Sequence, residues 1–242
     1  MNDTTNTRFA AATALLTAVL GTVAFALAIV AVPVAGANCP SNCIPYPYLS
    51  TAGRWPQDFL WQPPAIAFVL SFLVLMTCVH YFAPQRRRMI TQAGLCLAVV
   101  SAAALSIDYY LQFSVVPVSL ADGETNGLPL LLQYNSHGIF IALEEIGYIT
   151  MALSLAMFSV AFVARDRLAS AVRWLFRLPI VVAIGGLIEV SVFYGLERQD
   201  RFEIFILSAC WLTLIIGGLI LAAIFWTMTP EAEATATLRR EA

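Results

Sequence analysis

The chain contains no lysine; all 13 of its basic residues are arginine. Chemistry that begins with a lysine Schiff base is therefore closed to it, and with it a retinal-type chromophore held that way. Charge of either sign is scarce, at 12% of 242 residues with a net charge of −2. No basic field is available for nucleic acid, which is excluded as a partner. Histidine is nearly missing, with only His80 and His137. Neither an H-x-x-x-H nor an E-x-x-H spacing occurs, so no metal site and no cofactor is expected. No G-x-S-x-G nucleophile motif occurs either.

What fills the chain instead is apolar: 60% of residues are hydrophobic and mean hydropathy is +0.80. Those values place it in the integral membrane class. Runs of about 20 apolar residues mark spans, and six are expected, at 9–34, 64–83, 89–116, 138–163, 172–195 and 202–228. The fold class is an all-α bundle of six transmembrane helices in one membrane domain. The first run is about twice as long as a signal-peptide core and reads as a retained span. A lipoprotein anchor is excluded because Asn38, not a small residue, precedes Cys39. The polar tail 229–242 is expected to be disordered.

Arginine placement orients the bundle. If the spans alternate, Arg8, Arg86, Arg87, Arg88, Arg165, Arg167, Arg173, Arg177, Arg239 and Arg240 share one side. Only Arg54, Arg198 and Arg201 fall on the other. Both termini are thus expected in the cytoplasm, with the lipid bilayer of a bacterial plasma membrane as the surrounding partner; compactness and short loops support the bacterial assignment. Cys39 and Cys43 then lie in an outer loop, where a disulfide is one reading; two ligands are too few for a metal. Cys78, Cys96 and Cys210 lie in spans and are expected as small buried hydrophobes. His80, near the cytoplasmic end of the second span, is expected at the interface and not as a ligand.

Trp55, Phe59 and Trp61 in the first outer loop are expected in an interfacial aromatic belt, in preference to a ligand-binding lid. In the second, Asp-Gly and Asn-Gly pairs within ADGETNGLP signal turns. The basic segment 165–177 is amphipathic and suits anchoring on anionic headgroups. The six-span plan together with PYPYLSTAG…WP in the first loop resembles the DRAM-type membrane proteins. That likeness covers about a dozen loop residues and the topology, and it implies no functional residue.

The chemistry is expected in the spans. Asp108, Glu144, Glu145 and Glu189 lie inside apolar runs, where ionisable groups are costly and mark functional sites. At about 1.5 Å per helical residue, Asp108 is ~12 Å, and Glu144 and Glu189 ~9 Å, below the outer ends of their spans. His137, Glu144, Tyr148 and Met151 share a helical stripe, as do Ser101, Leu105, Asp108 and Gln112. Glu145 points about 100° away from Glu144. Gly185 and Gly186, one turn from Glu189, are expected to admit a neighbouring helix closely.

An outward-facing pocket between spans three, four and five is therefore expected. Asp108, Glu144 and Glu189 would titrate in it, His137 would sit at its mouth, and Tyr109, Tyr148 and Gln112 would line it. The function this favours is proton-linked binding or transport of a small cationic or amphiphilic solute. Two alternatives stand beside it: a membrane-embedded enzyme acting on a lipid or isoprenoid by carboxylate and histidine acid–base chemistry, and an accessory or scaffold subunit without chemistry. Protonated acids acting as interhelical glue would yield about 0.6–2 kcal/mol per hydrogen bond, less than the ~2.5–3.5 kcal/mol cost of a charged acid at mid-span.

Overall fold

The computed structural model describes residues 3–31, 35–36, 39–162, 166–198 and 200–228. The ends of the first and fourth expected spans, Arg165 and the tail 229–242 lie outside them. Among the described residues there is no strand, and six helical stretches are long and apolar enough to cross a membrane. The helices are α1 (Asp3–Val30), α2 (Gln62–Phe82), α3 (Arg88–Ser114), α4 (Val116–Asp122), α5 (Ile139–Phe158), α6 (Arg167–Leu175), α7 (Leu178–Tyr194) and α8 (Arg201–Thr227).

Proline sets several of these limits. Pro63 and Pro64 occupy the first turn of α2, where a missing N–H costs nothing. Ala83, held extended before Pro84, ends the same helix. The expected fifth span at 172–195 is interrupted, because Pro179 has no N–H to return to the carbonyl of Leu175. Its first residues belong instead to α6, an amphipathic helix capped by the Asp166 carboxylate, which accepts the Ala169 N–H at 2.7 Å. Pro117 likewise opens α4, so part of the stretch expected as turns is helical. The turns themselves fall at Gly123 and Gly127, both with positive φ.

Five long helices close a ring in which α1 packs on α2, α2 on α3, α3 on α5, α5 on α8, and α8 back on α1. Outside it, α7 rests against α5 and α8. Glycines set several of the close approaches. A Cβ on Gly147 would lie 2.6 Å from the Leu105 side chain, and one on Gly218 would lie 2.8 Å from the Ala14 carbonyl. At the ring's centre Trp211 is fully buried against Phe68 and Phe25, at ring-centroid distances of 5.3 and 5.8 Å. Cys78 and Cys210 are buried as expected, whereas Cys96 is exposed on the outer face of α3.

Candidate functional site

At the end of the bundle that carries the Cys39–Cys43 disulfide, the segment before α2 folds inward as two 3₁₀ turns, Leu49–Arg54 and Gln57–Phe59. Arg54 and Asp58, one turn apart, form a two-pronged ion pair. The Tyr134 hydroxyl donates to the same carboxylate at 2.8 Å. The Gln133 amide joins the cluster by donating to the Asp58 carbonyl at 3.3 Å and accepting from Gln62 at 3.0 Å. The hydrogen bond to Asp58 raises the Arg54 guanidinium above its ordinary value. Burial, reinforced by Asp58, raises the Tyr134 hydroxyl well above its own.

This network draws the loop's aromatics off the surface. Phe59 and Trp61 are 1% and 9% exposed, and only Trp55 remains outside. The interfacial belt is thus corrected for two of its three members. Trp61 meets the edge of Tyr109 at 5.0 Å, which carries the loop's packing to the carboxyl groups.

Those groups converge from three helices. In α5, Glu144 and Tyr148 are one turn apart and share the buried face. Tyr109 of α3 donates to Glu144 Oε1 at 2.8 Å and also meets the Tyr148 hydroxyl. Trp211 Nε1 of α8 donates to Tyr148 at 2.7 Å. Because the one proton of Tyr109 is directed at Glu144, Tyr148 must donate to Tyr109 and accept from Trp211. The chain of donors therefore runs in one direction and ends on Glu144. Glu203, in the first turn of α8, is also buried and lines the same cavity, and the two carboxyls act on each other electrostatically. Two like charges in one buried site are costly, so such a pair favours the state in which one carboxyl carries a proton. Asp108, buried on α3, is within electrostatic reach of Glu144, and its Oδ2 has no hydrogen-bond partner among the described residues.

Glu144 and Glu203 open onto a cavity of about 410 Å³. Asp58 and Asp200 add two more carboxylates to its wall, while Trp61, Phe140 and Trp211 supply aromatic surface. Among the described residues no basic one lines it, and Arg54 is held by Asp58 on its wall. An acidic, aromatic-walled chamber of this kind suits a positively charged guest, through carboxylate contact and cation–π attraction.

The residues singled out in the sequence separate into two groups. Asp108, Tyr109, Glu144 and Tyr148 come together, and the whole stripe Ser101, Leu105, Asp108 and Gln112 is buried. Gln112 is occupied elsewhere, donating to the Leu131 carbonyl and accepting the Gln133 N–H at 3.0 Å. His137 is exposed and absent from the cavity wall. It precedes α5, whose N-cap is Gly138, so the seven-residue helical spacing to Glu144 does not apply. Glu145 points away from Glu144 and forms a bidentate pair with Arg198, at 2.7 and 2.6 Å. Glu189 is exposed, because α7 buries Pro179, Ala183 and Val190 on a different face. Gly185 and Gly186 admit no close neighbour: nothing lies within 4 Å of a Cβ on Gly185, and 3.8 Å separates Gly186 from its nearest contacts.

Glu203 and Trp211 belong to the site without having stood out in the sequence. Glu203 is one residue inside the expected last span, close enough to its end to resemble an interfacial acid. Its signal was the spacing of eight to Trp211, which places both on one face of a helix. His80, expected at the interface, bonds Thr91 Oγ1 at 2.8 Å through Nδ1.

Comparison with family models, curated proteins and solved structures finds no match for this chain.

Proposed function

We propose that the chain is an integral membrane protein whose acidic cavity binds a small cationic or amphiphilic solute in exchange for a proton. Both termini would lie in the cytoplasm of a bacterial plasma membrane and the cavity would face outward. The arginine asymmetry and the Cys39–Cys43 disulfide are consistent with this orientation.

The observation that carries the proposal is the buried Glu144 and Glu203 carboxyls on the wall of a cavity that no described basic residue lines. An ammonium group that seats between the two carboxylates takes the place of their proton. One proton leaves for each positive charge that enters, so the net charge of the pair and its guest is unchanged. Trp61 and Trp211 would bound the cation's apolar groups, and the Tyr148–Tyr109 donors would hold Glu144 once it is ionised.

The test is the affinity for tetraethylammonium of protein in lipid nanodiscs, measured between pH 6 and pH 8; nanodiscs avoid the detergent that would compete for an amphiphile site. Competition with a proton predicts binding that tightens as pH rises, by up to about tenfold per pH unit. Glu203→Gln and Glu144→Gln would remove that dependence. Affinity that stays constant with pH in the wild type contradicts the exchange, and no binding at any pH contradicts the cation site.

A further inference from the structure

We infer that the solute is a cationic amphiphile that enters sideways from the bilayer, through the opening between α1 and α8. The inference rests on the cation-binding reading above and names the class and route of its guest.

The antiparallel seam between these two helices changes character along its length. Over one part it is zipped at backbone distance, where a Cβ on Gly218 would strike Ala14 and Ala18, and one on Gly21 would lie 3.1 Å from Ile215. The next pair along is Phe25 and Trp211, whose rings touch at 5.8 Å. Beyond it both helices line the cavity, α1 through Phe25, Ala28 and Ile29, and α8 through Glu203, Ile204 and Leu207. The seam is thus a cleft floored by Phe25 and Trp211.

Two of those lining residues also face outward. Ile29 is 66% exposed and Ile204 is 40% exposed, on opposite lips of the cleft. At the cavity's end, Ala35 forms part of the wall, and a Cβ on Gly36 would come within 3.0 Å of the Asp200 carboxylate. Ala35 and Gly36 thus pack at that end while the side carries isoleucines. An apolar lip suits a hydrocarbon chain, and the carboxyl groups behind it suit the charged head of the same molecule. The lips fall in the last turns of α1 and the first of α8, the depth at which an amphiphile's headgroup rests in a bilayer.

Lipid nanodiscs allow the test with two probes that share a head, tetramethylammonium and dodecyltrimethylammonium, each followed for affinity and association rate. The dodecyl compound is expected to bind at least tenfold more tightly. Ile29→Trp and Ile204→Trp, at exposed sites that tolerate bulk, are expected to slow its association at least tenfold, and several-fold more than that of tetramethylammonium. Leu212→Trp, exposed on α8 away from the cavity, should slow neither. Equal affinity for the two cations, or lip variants that slow both alike or neither, would overturn the lateral route while leaving the cation site standing. Failure of both cations to bind would overturn the cation site itself, and this inference with it.

Discussion

The two ends of the bundle handle charge in opposite ways. At the end bearing the arginine triplet, guanidinium groups bond to neutral acceptors: Arg87 to the Val160 carbonyl and Arg177 to the Ser159 hydroxyl at 3.1 Å. Those contacts tie helix ends together, and beside them Trp174 of α6 stays exposed with Arg177 over its ring at 5.0 Å. At the disulfide end the chain folds into the bundle, and arginines are used to neutralise acids, Arg54 with Asp58 and Arg198 with Glu145. Among the described residues Glu144 and Glu203 have no such arginine partner, and both are buried on the wall of the cavity. The lesson is that two buried or half-buried acids at this end, Asp58 and Glu145, are matched by arginines, so the buried pair without one stands out as a site.

The largest expected effect comes from removing the anchor that sets the disulfide end apart. Phe59→Ala should lower stability by about 3–5 kcal/mol, the usual cost of deleting a buried aromatic, read as a fall in the thermal midpoint. A loss below about 1 kcal/mol would mean that the loop lies on the surface after all, and the two ends would differ less than described.

Next in size is the matched acid. Arg198→Ala leaves Glu145 half-buried without its partner and should cost about 1–3 kcal/mol, between the values for exposed and buried pairs. Glu145→Gln should cost less, because Arg198 is the more exposed partner and can turn to water. If Glu145→Gln abolished cation binding, the working face of α5 would be the other one.

Tyr134→Phe should cost about 1 kcal/mol, the worth of one hydrogen bond. Its pH dependence has a definite sign. The folded state holds the Tyr134 hydroxyl above its ordinary value of about 10, so its contribution is complete below that pH and is lost as pH rises through the raised value. The stability difference between variant and wild type should therefore be constant from pH 6 to pH 9. Smallest of all, Glu189→Leu on the exposed face of α7 should change stability by under about 0.5 kcal/mol and leave cation binding intact. A loss of binding there would return Glu189 to the site.

Much of the fold was legible in the sequence because apolar run length is a direct consequence of bilayer thickness. The interior stripes of α3 and α5 were equally accessible, since Ser101, Leu105, Asp108 and Gln112, and Glu144, Tyr148 and Met151, follow helical spacing and are buried. What was hidden depended on tertiary choices. Which face α7 buries is settled by its place outside the ring, and no periodicity in so apolar a helix betrays that. Arg198 reaches Glu145 across 53 residues of chain, and local sequence carries no trace of the pairing. Glu203 was obscured by position, since a residue in a first helical turn can face water as readily as a cavity.

The central claim is that Glu144 and Glu203 share a proton which a cation displaces. Infrared difference spectroscopy of the protein in lipid nanodiscs, on addition of tetraethylammonium, tests it most directly. The account predicts loss of a protonated carboxyl C=O band and gain of carboxylate bands in the wild type and in Glu189→Gln, with both changes missing in Glu144→Gln and Glu203→Gln. Tetraethylammonium bound with no change in the carboxyl bands, or the same change in all four proteins, would contradict it.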